Sequence, residues 1–116
     1  MALSHKGHIY FQQGNYHASI AEFTKALSIM PTDLKSLMTR GMSYAYAGDY
    51  NHSLEDFNSI IRIHPDDPTG YAMRGFLLAM LHNYDAAKDN IDRAIMLNPD
   101  PQLQQLITHT QGIINK

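Results

Sequence analysis

Three glycines, three tyrosines and three prolines recur in this chain at a single interval. Gly7, Gly41 and Gly75 are 34 residues apart, as are Tyr16, Tyr50 and Tyr84, and Pro31, Pro65 and Pro99. In a chain of 116 residues, an interval of this size points to stacked units that bury their apolar faces only against neighbours. Such an architecture offers surfaces rather than a catalytic pocket. The question of function becomes what lies against those surfaces.

Within each interval the apolar residues follow helical spacing in two runs. In the second unit Leu37, Met38, Gly41, Tyr44 and Ala45 form one stripe, and Leu54, Phe57, Ile60 and Ile61 form another. Gly48-Asp49-Tyr50 between them supplies a residue that accepts positive φ, a polar helix start and an anchoring ring. Gly14-Asn15-Tyr16 repeats that turn. His82-Asn83-Tyr84 replaces the glycine by histidine, so positive φ and some strain are expected there. Pro31, Pro65 and Pro99 end helices, because proline turns the preceding residue away from helical geometry. Asp67-Pro68 and Asp100-Pro101 place a capping carboxylate before a proline at the first helical position, and Thr32 and Asp33 offer similar capping. Leu103, Leu106, Ile107, Thr110, Ile113 and Ile114 mark one face of a last helix outside the repeat.

The spacing predicts seven helices, roughly Leu3–Gln13, Tyr16–Ile29, Leu34–Ala47, Tyr50–Ile63, Pro68–Leu81, Tyr84–Leu97 and Gln102–Asn115. The expected fold class is all-α: a right-handed α-solenoid of three helix-turn-helix hairpins plus one C-terminal capping helix. It forms a single domain over 1–116, with repeats about 1–33, 34–67 and 68–101 and the capping helix about 102–115.

Composition narrows the function classes. The formal charge is −2 with no basic block, so the electrostatic footprint of a nucleic-acid partner is missing. There is no cysteine. The first residues lack the apolar core of a secretory signal, and no apolar stretch approaches the roughly 20 residues that span a bilayer. A soluble, cytoplasmic chain without membrane insertion is expected. No phosphate-cradling glycine loop, HExxH or GxSxG motif is present, so no catalytic residue, no cofactor and no enzyme activity is expected. His5 and His8 are three apart, a spacing that can present two imidazoles to a metal. That helix supplies no Asp, Glu or Cys to complete the site, and no metal is expected.

The pattern resembles the tetratricopeptide repeat over Leu3 to Pro99. The signature positions are Leu3, Gly7, Tyr10, Ser19, Phe23, Ala26 and Pro31 in the first unit. They are Leu37, Gly41, Tyr44, Ser53, Phe57, Ile60 and Pro65 in the second, and Tyr71, Gly75, Leu78, Ala87, Ile91, Ala94 and Pro99 in the third. Ile60, Leu78 and Ile91 depart from the signature but remain apolar. The glycines are expected where two antiparallel helices cross closely, opposite Ser19, Ser53 and Ala87; overpacking there costs about 1–3 kcal/mol.

The resemblance implies a concave groove lined by the first helix of each hairpin, which carries the binding. The implied groove residues are His5, His8 and Phe11, with Ser4 and Gln12, in the first repeat. Lys35, Met38, Thr39, Met42 and Tyr46 follow in the second, and Met73, Phe76 and Met80, with Thr69 and Ala72, in the third. This groove is apolar, rich in adaptable methionine and nearly uncharged apart from Lys35. Some of these side chains, Met42 and Phe76 among them, have a core reading as the alternative. One subclass of the family holds the C-terminal carboxylate of Hsp70 and Hsp90 chaperones through groove Lys, Asn and Arg. The matching positions here are Ser4, His8, Thr39, Thr69 and Met73, so the carboxylate clamp is absent. Lys6, Arg40 and Arg74 precede the glycines and read either as anion binders or as partners of Glu22, Asp56 and Asn90 within each hairpin; the latter is preferred.

The expected function is that of a protein–protein interaction adaptor, a scaffold module binding a peptide or helix of a partner protein with affinity around micromolar. The alternative is a self-assembling structural repeat protein, a homo-oligomer or a fragment of a longer array, that uses the groove or the uncapped first helix. A third reading is a small chaperone that shields an apolar segment of a client. On the groove reading, Met42→Lys or Phe76→Glu weakens binding without unfolding the chain. A thermal melt that drops by several degrees assigns the altered residue to the core instead.

Overall fold

The computed structural model describes residues 2–116, with side chains described from residue 5 onward. The side chains of Leu3 and Ser4, assigned above to the signature and the groove, therefore lie outside the described residues. Seven helices are present among the described residues: α1 (Ala2–Gln12), α2 (Tyr16–Ile29), α3 (Leu34–Tyr46), α4 (Tyr50–Ile63), α5 (Pro68–Met80), α6 (Tyr84–Met96) and α7 (Pro101–Ile114). Each boundary falls within one residue of that expected. The helices are arranged as helix-turn-helix pairs followed by a last helix, and they group into two compact units, Met1–Ile60 and Ile61–Lys116.

Local chemistry sets the ends. Asn15 Oδ1 accepts from the Ala18 amide (3.3 Å), Asp33 Oδ2 from Ser36 (3.1 Å), Asp67 Oδ1 from Thr69 (2.8 Å) and Asp100 Oδ1 from Leu103 (2.8 Å). Each bond satisfies an amide that the first helical turn leaves without a partner. Pro68 and Pro101 fill first-turn positions where no amide is needed. The turns within the pairs pass through the left-handed region at Gly14 (φ 76°), Gly48 (φ 85°) and, as expected from its register, His82 (φ 62°). His82 Nδ1 lies 2.7 Å from the Tyr84 hydroxyl, a contact available to this side chain and not to glycine. Asn98 (φ 60°) also turns left-handed after α6, just before the Pro99 expected to end that helix.

In the first unit α1 packs on α2 and α2 on α3, and α1 also meets α3. A methyl group at Gly7 would stand 2.7 Å from Phe23 Cε2, and one at Gly41 would fall onto the Phe57 ring. Gly7 and Gly41 therefore make room for a large ring sixteen residues on, which adds to the small residue expected opposite. Phe23 and Phe57 are both fully buried, each worth roughly 1.5–3 kcal/mol relative to exposure. The small residue has a separate task in the first pair: the Ser19 hydroxyl donates to the Gly7 carbonyl (3.0 Å) and lies 3.1 Å from Ser43 Oγ.

In the second unit α5 packs on α6, and α7 packs on both. Gly75 faces Ile91, whose Cδ1 would be 2.9 Å from an added methyl. Leu103, Ile107 and Thr110 form the inner face of α7. The buried Thr110 hydroxyl is satisfied by the Leu106 carbonyl at 2.8 Å.

Polar contacts also tie each pair together. Lys6 Nζ is 3.4 Å from Glu22, Arg40 holds Asp56 through Nε (2.9 Å) and Nη2 (2.6 Å), and Arg74 Nε donates to Asn90 Oδ1 (2.7 Å). The cations before the three glycines thus each find a partner within their own hairpin, as preferred from the sequence, and Arg40 Nη1 also reaches Thr24 Oγ1 on α2 at 3.3 Å.

Replacing Gly41 by Ala pushes a methyl into the Phe57 ring and is expected to cost about 1–3 kcal/mol. Gly112 sits in α7 with nothing within 4 Å of an added methyl, so Gly112→Ala is expected to gain about 0.5–1 kcal/mol. Thermal and urea unfolding of the two variants measures both signs.

Candidate functional site

The first unit brings most of the expected groove residues onto one face between α1 and α3. His5, His8 and Phe11 follow one another at three-residue steps along α1, and Lys35, Met38, Met42 and Tyr46 run along α3 at steps of three and four. His5, Lys35 and Tyr46 are exposed, whereas His8, Phe11, Met38 and Met42 are half-buried. Thr39, on the same helix, is buried at 4% exposure. The face is therefore a shallow surface whose floor is partly covered by its own side chains.

One end of this face is aromatic. Tyr16 stacks on Tyr46 with ring centroids 5.3 Å apart, and Phe11 stands 5.7 Å from Tyr16 and 6.1 Å from Tyr46. Three elements contribute to the cluster: the end of α1, the start of α2 and the end of α3. Tyr46 is nevertheless 45% exposed. Burial, then the neighbouring Tyr16, pushes its hydroxyl above the ordinary tyrosine value. Tyr16, absent from the expected set, enters through the Gly14-Asn15-Tyr16 turn. Its recurrence with Tyr50 and Tyr84 marked it as an anchor rather than as part of a binding face.

The other end is polar. His8 meets the buried Phe23 ring edge-on at 4.9 Å. Burial lowers its pKa first, the Lys35 and His5 charges lower it further, and Asp33 opposes them. The imidazole is held toward its neutral form beside an exposed lysine.

The second unit treats its expected residues differently. Met73 is 5% and Phe76 7% exposed, and Ala72 is fully buried. Phe76 stands 6.4 Å from the His109 ring on α7. Thr69 and Met80 are half-buried. By the melting criterion stated above, Phe76→Glu thus probes the core of this unit, because it places a carboxylate in a site only 7% open to water. Among the described residues, no group of three or more His, Cys, Asp or Glu is placed to hold a metal ion, and no helix is long and apolar enough to cross a membrane.

Comparison with known proteins bears on this arrangement. The family model for the tetratricopeptide repeat matches residues 1–33. A comparison with curated proteins gave no significant sequence match. Among solved structures, the tetratricopeptide domain of Sgt2 from Aspergillus fumigatus superposes with a TM-score of 0.83 at 20% identity, over 98% of this chain and 78% of that one. The first such domain of Spaghetti (RPAP3), bound to the HSP90 peptide SRMEEVD, gives 0.80 at 22% identity over 99% and 92%. PcrH in complex with the chaperone-binding region of PopD gives 0.82 at 16% identity over 98% and 86%. The family model thus covers the first helix pair, and the solved structures share the fold over nearly the whole chain.

The His8 environment sets a pH dependence. Its pKa in the folded chain lies below the ordinary value of about 6.5, so the folded state takes up a proton less readily than the unfolded one. The stabilisation from neutral His8 is complete above about pH 6.5 and is lost as pH falls through the lowered value. Urea unfolding at pH 7.5 and 5.5 is expected to show a smaller loss of stability in His8→Gln than in the wild type.

Proposed function

We propose that this chain is a protein–protein interaction module whose α1–α3 face holds an apolar segment, extended or helical, of a partner protein. The observation that carries this reading is the half-open aromatic and methionine surface formed by Phe11, Tyr16, Tyr46, Met38 and Met42. A surface of this composition gains by losing water, and methionine adapts to the shape of whatever covers it. Aromatic rings at an exposed contact give large area at little cost in side-chain freedom. Lys35, His5 and His8 add polar contacts at the other end of the face.

The structural neighbours support this reading at the level of class, since Spaghetti carries a peptide and PcrH a segment of PopD. The residues here favour an apolar ligand over a chaperone C-terminus. Of the clamp positions with described side chains, Thr39 and Met73 are buried and Thr69 is uncharged. His8 is the only one able to carry charge among them, and its environment disfavours that charge. The residues on the second unit, Met73 and Phe76, serve packing in this reading, and the binding face is His5, His8, Phe11, Tyr16, Lys35, Met38, Met42 and Tyr46.

A quantitative mass-spectrometric pull-down with wild type and a Met42→Lys/Tyr46→Ser variant tests the proposal. A partner retained by the first and lost by the second is expected, with the variant melting within about 2 °C of the wild type. Identical capture by both proteins would sink it. Calorimetric titration with SRMEEVD is expected to show no saturable binding up to about 1 mM, which separates this face from a carboxylate clamp.

A further inference from the structure

The positions that tie the helices of each pair together carry different charges in the three repeats. In the first, Lys6 and Lys25 both reach Glu22, at 3.4 and 3.7 Å. In the second, Arg40 closes on the Asp56 carboxylate through two hydrogen bonds. One interval further on, Arg74 occupies the register of Lys6 and Arg40, and Arg93 occupies the register of Lys25. Between them the register of Glu22 and Asp56 is filled by Asn90. The third repeat thus keeps both cations of the first and has an amide where the carboxylate stood.

The amide does only half of the carboxylate's work. Asn90 Oδ1 accepts from Arg74 Nε at 2.7 Å, while its Nδ2 donates to the Ala86 carbonyl at 2.8 Å. It offers Arg74 a neutral acceptor and adds no charge to the cavity. Both guanidiniums lie against the Tyr71 ring, Arg74 at 5.7 Å and Arg93 at 5.5 Å from its centroid. Among the described residues, Arg93 forms no ion pair. Tyr71, Arg74, Asp89, Asn90 and Arg93 line an open cavity of about 300 Å³. Asp89 offsets one of the two arginines, so the lining carries a net charge of about +1.

We propose that this cavity between α5 and α6 binds the carboxylate of an acidic side chain from a partner protein, beside the Asn90 amide that takes the register of Glu22. A guanidinium plane matches the two oxygens of a carboxylate, and the Tyr71 ring holds both guanidiniums in orientation before the ligand arrives. The cavity is at the small end of ligand sites, enough for a carboxylate and its short stem. A single negative charge balances the lining, whereas a phosphate monoester with roughly two charges would meet Asp89 with an excess. This site lies apart from the α1–α3 face and stands whether or not that face binds an apolar segment.

The test is an NMR titration at constant ionic strength, following the Arg93 Nε–H and Asn90 side-chain amide signals. The probe is a capped triglutamate peptide, with inorganic phosphate as the second ligand. Saturable shifts with the peptide are expected, at least about tenfold weaker in Arg93→Gln and tighter in Asp89→Asn. Asn90→Asp restores the internal carboxylate of the second repeat, so it is expected to melt higher and to lose the peptide, while Lys88→Gln on the same helix binds as the wild type does. Absence of shifts in the wild type up to about 10 mM peptide, undiminished binding by Asn90→Asp, or phosphate bound more tightly than the peptide would each overturn the proposal.

Discussion

Each helix pair rests on one contact: a glycine on its first helix against a large side chain sixteen residues later. Gly7 lies on Phe23, Gly41 on Phe57 and Gly75 on Ile91. Because no Cβ intervenes, the backbones approach closely enough for everything else in the pair to reach. The Ser19 hydroxyl meets the Gly7 carbonyl, and Arg40 spans to both oxygens of Asp56. Close approach also buries the rings completely. Hydrophobic gain and polar satisfaction therefore depend on the same missing side chain, and a small steric change would disturb both.

With the pairs fixed in this way, the two units expose different chemistry. In the first, Phe11, Tyr16 and Tyr46 gather where three helix ends meet, and the charges between α1 and α2 and between α3 and α4 are compensated internally. In the second, α7 lies on α5 and α6, with Phe76 beside His109, so the corresponding apolar positions are covered. What remains open there is a polar cleft whose two arginines share the face of Tyr71. One repeat sequence, varied at a few registers, thus yields an aromatic cluster in one unit and a cleft lined by two arginines in the other.

Much of the fold was legible because it is written in residues with few conformational options. Proline, glycine and the Asp-Pro pairs fix helix ends through φ restriction and capping, and the ends fell within one residue. His82 was readable as a left-handed turn because it stands in a glycine register. Asn98 was not, since the following Pro99 already explained why α6 stops. The candidate face was legible in outline only. Helical phase gives the direction of a side chain but not what covers it, so Thr39, Met73 and Phe76 fall in the same expected set as Met38 and Met42 while being far more buried. Phe76 neighbours α7, which lies outside the repeat and leaves no mark in its period. Tyr16 was hidden for the opposite reason, as its periodicity advertised a turn anchor and concealed its stacking on Tyr46.

The methionines are graded in depth, which gives the molecule a built-in order of chemical ageing. Met96 is 76% and Met30 44% exposed, Met38 and Met42 are half-buried, and Met73 is 5% exposed. Peroxide attack on a thioether follows exposure and turns a flexible apolar side chain into a polar sulfoxide. Met96 and Met30 therefore oxidise first, with little packing to lose. Met38 and Met42 follow, and there the same oxygen atom adds polarity among half-buried side chains of α3. Met73, shielded in the second unit, is oxidised last, when the fold itself has begun to open.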